Sequence, residues 1–331
     1  MKLQNWIESH WYADNPGPLK RLLPLENYYC KQVEKRHQAY AAGKKPSYRA
    51  SVPVIVVGNI SVGGSGKSPV VASLARYLQR QGYQPGIISR GYGSKARSYP
   101  FRVEKDSNPK KAGDEPLMLA RQTNLPVAID PKRPRAAQLL IDEGCDLLIA
   151  DDGLQHLALQ RDIELVIIDG ARGLGNGHCL PVGPLREPPQ RLNTVDWVLC
   201  QGELQHPLEV EPISYHLEQT GWRRGDGLWQ SASPFDPGQS VHALAGIGNP
   251  QRFFDQLSEQ GLQVTPHPLP DHAPMNAQTL DLPGNEPIII TAKDAVKLGP
   301  WLHQRHWVVE VEARLPESFL KELSQKLKSI L

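Results

Sequence analysis

Cysteine is scarce and scattered. The four residues Cys30, Cys145, Cys179 and Cys200 in a chain of 331 contain no C-x-x-C pair. Such spacing argues against a disulfide framework and implies a reducing, cytosolic setting. His178 beside Cys179 has no second local ligand pair, which counts against a zinc site. Long apolar runs are missing as well. No stretch approaches the roughly eighteen residues of a clean membrane span, and no signal-peptide pattern opens the chain. Membrane contact is therefore expected to be peripheral or shallow. There is no internal repeat and no low-complexity tract. Nor is there a strong excess of one charge, since the net is +2. The charge is unevenly spread: residues 1–50 hold nine Lys or Arg against four Asp or Glu, and the remainder is mildly acidic.

What is present begins with VPVIVVGNISVGGSGKSPVV. An apolar strand over 54–57 runs into a glycine-rich turn, and a helix is expected over 70–80. This order aims backbone N–H groups and a helix N-terminus at an anion. The strict phosphate loop reads G-x-x-x-x-G-K-[ST], and here Ser61 replaces its first glycine. The physical requirements still hold. Ser61, Val62, Gly63, Gly64, Ser65, Gly66, Lys67 and Ser68 are read as a nucleoside triphosphate cradle, with Lys67 on the outer phosphates and Ser68 on Mg2+.

The length favours two α/β domains. Further strands are expected at 86–89, 126–130, 146–150, 164–168 and 195–200, separated by helix-length segments such as 133–143. Alternation of this kind predicts a largely parallel sheet with helices on both faces. Residues 92–113 read as a long polar loop. Four segments result: a basic amphipathic membrane-contact segment at 1–50, a phosphate-loop domain at 51–205, a connector β-ribbon at 206–240 with a Gly-Asp-Gly hairpin turn, and a smaller α/β domain at 241–331. That last unit holds strands at 241–245, 288–291 and 307–311 and a helix at 251–260. Its GIGNP reads as a turn rather than a phosphate site, because no Lys-Ser pair follows.

Two apolar strands end in acid. Asp151 and Asp152 close CDLLIADD, and Asp169 closes ELVIID. A doubled aspartate is costly without a neighbouring cation, so the first pair suits Mg2+ better, although Asp-Gly is also an ordinary turn. Asp114 and Glu115 precede Pro116 and fit either a helix cap or a catalytic role. His272, in PLPDHAP, fits either a surface loop or a general base.

In order, GNISVGGSGKSP, SRGYG, GDEP, DDGLQH, GPLRE, GIGNP, PDH and TAKDAVK give a chain that resembles the tetraacyldisaccharide 4'-kinases, the lipid A 4'-kinases, from about Trp11 onward. That family's phosphate loop is similar in lacking the first glycine. The resemblance implies transfer of the ATP γ-phosphate to the 4'-hydroxyl of a tetraacylated glucosamine disaccharide 1-phosphate. It also implies a peripheral or monotopic place at the cytoplasmic face of the inner membrane, with no nucleic acid and no obligate protein partner. By matching motif, Lys67 and Ser68 serve the phosphates and Mg2+, and Asp151 and Asp152 serve the metal. Asp114 is the catalytic aspartate and His272 its support. Arg133 contacts phosphate, and Glu115, Gln155, His156, Arg186 and Glu187 are further active-site positions. Departures are Ser68 in place of a common threonine, Ala273 in place of a second histidine, and no long apolar helix at the front.

Two rivals fail on residues. A switch GTPase needs the spaced N-K-x-D, whereas Lys293 and Asp294 are adjacent. A partitioning ATPase needs an extra loop lysine, and Val62 stands there.

Overall fold

A computed structural model describes residues 3–64 and 66–330. Ser65 of the phosphate loop lies outside the described residues. The chain opens with α1 (Leu3–Trp11), a 3-10 turn (Gly17–Leu22) and α2 (Leu23–Ala41). The sequence suggests that Pro16, Pro18 and Pro24 break this stretch into short pieces. Pro24 instead sits in the first turn of α2, which is 19 residues long. A helix tolerates proline there, since the missing N–H would have no partner within the helix.

The first half continues with β1 (Val54–Gly58), α3 (Lys67–Arg80), β2 (Pro85–Ser89), β3 (Phe101–Val103), α4 (Pro109–Ala112), α5 (Asp114–Thr123), β4 (Val127–Ile129), α6 (Arg133–Asp142), β5 (Leu147–Asp151), β6 (Ile163–Asp169) and β7 (Trp197–Gln201). The second half runs through β8 (Ile213–Arg224), β9 (Trp229–Gln230), β10 (Ser240–Ala245), α7 (Pro250–Glu259), β11 (Gln263–Pro268), β12 (Ile288–Thr291), α8 (Ala292–Leu298), β13 (His306–Arg314) and α9 (Glu317–Ile330).

These strands form one sheet in the order β11-β10-β12-β13-β8-β7-β6-β1-β5-β2-β4-β3, with β9 on β8. Its pairs are parallel except β3 with β4, β8 with β13 and β8 with β9. The fold is thus the α/β class that the sequence implies. Residues 206–240 contribute more than a ribbon. The start of β8 pairs with β7, from Ile213 beside Leu199 to Tyr215 beside Gln201, and the rest pairs with β13. One strand therefore carries the sheet from one half into the other.

Burial explains the apolar runs. Ile55 and Val57 face a core shared with α3 and α5, while Val54 and Val56 face the opposite core with Ile88 and Leu148. A strand covered on both faces needs no polar alternation. The helix that ends the chain returns to the first half: Phe319, Leu323 and Leu327 of α9 join the α3 core, and the Tyr77 hydroxyl donates to Leu320 O at 3.2 Å.

At the end of β1, Gly58 has no room for a side chain. A Cβ there would lie 2.6 Å from Leu154 Cβ and 3.1 Å from Leu154 N. Gly58→Ala must push the turn after β5 away from the phosphate loop, at a cost of about 1–3 kcal/mol. Urea unfolding should show the loss as a lower midpoint with an unchanged slope. A wild-type midpoint would refute this packing.

Candidate active site

Sheet register positions the acidic pair. Val57 pairs with Asp151 of β5, while Gly58 pairs with Val166 of β6. The chain leaving β1 therefore enters the phosphate loop beside Asp151, and Asp169 lies three residues further along the other neighbour. Within the loop, Ser61 bridges Leu185, and the Val62 N–H donates to Pro184 O at 2.8 Å. Gly63 O accepts from Asn59 at 3.4 Å. Gly66 caps α3, whose first turn carries Lys67 and Ser68. The GIGNP turn comes close to this loop at a glycine: a Cβ on Gly248 would lie 2.7 Å from Gly64 N.

Asp151 and Asp152 differ sharply. Asp151 is 1% exposed, and its Oδ1 has no hydrogen-bond partner among the described residues. Burial, together with the charge of Glu115, pushes it up to about 7. Asp152 has φ 48 and swings toward Lys67 Nζ at 3.3 Å and Arg186 at 3.3 Å. Burial acts to raise it, but these two cations prevail and hold it at about 2. Arg133 lies beneath the turn, 4% exposed, and donates to the carbonyls of Asp151 at 3.2 Å and Asp152 at 2.6 Å. It therefore braces the backbone of the acidic pair. Arg186 also donates to Ser61 O, Gln155 and Asn59. Gln155 in turn donates to Glu187 at 2.6 Å. His156 is lowered to about 4 by burial and by Arg133 and Arg161.

The second cluster meets across the cleft. Asp114 is the first residue of α5, and Gly113 takes the cap position, so the Asp114 carboxylate is free for other work. It meets His272 Nδ1 at 3.1 Å. His272 has φ 57, and its Nε2 lies 3.3 Å from Lys293 Nζ. An ammonium can only donate, so in the neutral ring Nε2 accepts and the Nδ1–H donates to Asp114; protonation of the ring keeps the Nδ1–H bond and gives up the Nε2 contact. Lys293 also reaches Glu115 and Asp271, each at 2.9 Å, and Lys297 lies 3.7 Å from Asp114. Burial would raise Asp114, yet the His272 bond and the two lysines bring it to about 2. The bond to Asp114 raises His272 despite burial and Lys293. Asp114's contribution is lost as pH falls from about 4 towards 2. That of His272 is lost as pH rises above about 6.5 through its raised value. The pair is accordingly strongest between those limits.

Lys293 and Lys297 are the residues to which sequence reasoning gave no role. Their i,i+4 spacing puts both on one face of α8, which was a readable signal. A cavity of about 830 Å³ joins the two clusters, lined by Lys67, Ser68, Glu115, Lys293, Arg252 and Asp169 among others. That volume suits a small-molecule ligand.

The sign of the Asp151 shift gives a test. A carboxyl raised on folding stabilises the protein below its unfolded value and loses that contribution as pH rises through the folded one. In metal-free buffer, Asp151→Asn should melt higher than wild type at pH 8, with the gap closing towards pH 4. A gap independent of pH would contradict the buried, unpaired carboxylate.

The family model for the tetraacyldisaccharide-1-P 4'-kinase matches residues 19–328. The tetraacyldisaccharide 4'-kinase of Pseudomonas putida strain W619 is 44% identical over 339 residues, covering 100% of this chain and 98% of that protein. That of Pseudomonas aeruginosa strain LESB58 is 44% identical over 337 residues, covering 100% and 99%. Among solved structures, LpxK of Aquifex aeolicus in complex with ATP is similar with a TM-score of 0.75 and 26% identity, over 93% of this chain and 99% of that one. The chain belongs to the tetraacyldisaccharide-1-P 4'-kinase family.

Proposed function

We propose that this chain transfers the γ-phosphate of ATP to the 4'-hydroxyl of a tetraacylated glucosamine disaccharide 1-phosphate, a late step of lipid A synthesis. The observation that carries the reading is one cavity that reaches both clusters: Lys67, paired with Asp152, lines one side, and Glu115 and Lys293, the latter holding the His272 of the Asp114 pair, line the other. The related Aquifex aeolicus protein was solved with ATP. The glycine-rich turn and the first turn of α3 would hold that nucleotide's phosphates here, from Ser61 to Ser68.

The donor set suits Mg2+. Asp151 presents a buried oxygen with no partner among the described residues, and Ser68 follows Lys67, which pairs with Asp152. Ser68 and Asp151 would hold the ion, with Asp152 serving its water shell, and the ion would neutralise charge on the transferring phosphoryl group. Lys67 leaves Asp152 for the phosphates. Arg133 acts from beneath, and Arg186 with Gln155, His156 and Glu187 fixes the walls of this side.

Asp114 accepts the acceptor hydroxyl at its free lone pairs and orients it. A carboxylate held near 2 is a weak base, yet phosphoryl transfer needs only late proton removal, since the hydroxyl becomes acidic as its bond to phosphorus forms. His272 keeps Asp114 aimed. Glu115 anchors Lys293, which in turn holds His272 from the far side.

A four-chain acceptor stays in a bilayer, so the enzyme must meet it there. No described helix is long and apolar enough to span a membrane. Leu25 and Tyr28 of α2 are 56% and 64% exposed, while Tyr29 on the same helix turns inward to Arg186 O. Helix α2 thus offers apolar groups and the exposed Lys31 and Lys35 outward while docked to the active-site loop. That arrangement supports peripheral attachment at the cytoplasmic face of the inner membrane.

Mass spectrometry of the purified chain with ATP, Mg2+ and the disaccharide 1-phosphate should show one added phosphate on the acceptor. ATP turnover without that gain would overturn the reading. Asp114→Asn should lower kcat by about 10²- to 10⁴-fold with little change in acceptor KM. His272→Ala should cost far less in that background than alone, and strict additivity would reject the pair. Anionic vesicles should retain the chain at low salt, each nearby Lys or Arg adding about 1 kcal/mol. Deleting residues 1–30 should abolish retention, and undiminished binding by a folded deletion variant would move attachment elsewhere.

A further inference from the structure

The fold gives His178 and Cys179 the companions they lack in sequence. Glu26 and Cys30, one turn apart on α2, reach the segment 178–187. One ligand atom each from Glu26, Cys30 and Cys179 lies within 4.8 Å of the others. Cys179 is 2% exposed and Glu26 8%, and all cysteines are free thiols. The Glu26 carboxylate is already aimed: Oε1 accepts the Cys179 N–H at 2.7 Å, and Oε2 meets His178 Nδ1 at 2.9 Å.

We propose that Cys30 Sγ, Cys179 Sγ and a Glu26 carboxylate oxygen form a binding site for a zinc-like divalent cation, separate from the nucleotide cleft. Two sulfurs with one carboxylate select Zn2+ over Mg2+, which prefers oxygen throughout. With Zn–S near 2.3 Å, the edges of a tetrahedral site are about 3.7 Å, so the three ligands need to close by no more than about 1 Å. Water takes the fourth position. His178 remains an outer partner that fixes the carboxylate, as second-shell groups do at zinc sites. Binding would release the two thiol protons to solvent while the cation takes both thiolates.

The position gives the site a purpose. Cys179 bridges Leu185, which directly precedes Arg186 and Glu187. On α2, His37 meets Glu187 at 3.1 Å and Tyr29 donates to Arg186 O at 2.9 Å. The cation would therefore fasten the N-terminal arm to the loop that lines the phosphate side of the cleft.

Titrating the reduced, metal-stripped full chain with Co2+ tests this, because a thiolate-to-cobalt charge-transfer band reports sulfur ligation and the oxygen donors of the cleft cannot produce one. One equivalent should give the band, with Zn2+ displacing it. Cys30→Ser and Cys179→Ser should each abolish it, His178→Ala should weaken Zn2+ affinity about 10- to 100-fold while keeping the band, and Cys145→Ser should behave as wild type. If Cys179→Ser fails to fold, the wild-type chain still decides: Zn2+ should protect the part-exposed Cys30 from alkylation, read by mass spectrometry. Absence of the band, its survival after loss of either cysteine, or alkylation unaffected by Zn2+ would overturn the site.

Discussion

One hydrogen bond, from His272 Nδ1 to Asp114 Oδ2, joins residues 158 positions apart in sequence. Asp114 starts α5 in the first half of the sheet, and His272 follows β11 at the far edge of the second. Such a contact survives only if the two halves hold a fixed relation. The continuous strand β8 supplies one part of that relation, being parallel to β7 and antiparallel to β13. The packing of α9 against α3 supplies another. The lysines of α8 complete it, since Lys293 ties Glu115 on α5 to Asp271 beside the histidine.

The cleft is electrostatically unfinished. Lys67 rests on Asp152 and Asp151 holds an unpaired oxygen, while its carboxyl is pushed up to about 7. Opposite them, Asp114 is firmly ionised at about 2 because two ammonium groups and an imidazole surround it. A polyphosphate with its cation would satisfy the first side. The second side is already prepared and has only to receive a neutral hydroxyl. This asymmetry matches the chemistry of the family, in which charge arrives with the nucleotide.

Much of this was legible in the sequence, and the failures share a physical cause. β1, β5 and β6 announce themselves as apolar runs, because both of their faces are covered. β3 is only three residues long, in a polar stretch, and exists by pairing with β4. β11 reads QVTPHP, whose two prolines suit an edge strand and hide it from pattern reading. β8 looked like a ribbon because its partners change along its length. In the site, motif residues gather around the cleft, but the bracing role of Arg133 depends on burial beneath a turn. The meeting of Glu26 and Cys30 with Cys179 depends on how α2 docks, and local spacing holds no trace of that.

In the proposed reaction the acceptor hydroxyl reaches Asp114 while the γ-phosphate lies in line. A crystal structure with a non-hydrolysable ATP analogue, Mg2+ and the disaccharide 1-phosphate measures this directly. The 4'-oxygen should lie about 2.6–3.2 Å from an Asp114 carboxylate oxygen and point at the γ-phosphorus, with His272 still bonded to Asp114. A productive complex whose 4'-oxygen is held by other groups, with Asp114 out of reach, would contradict it.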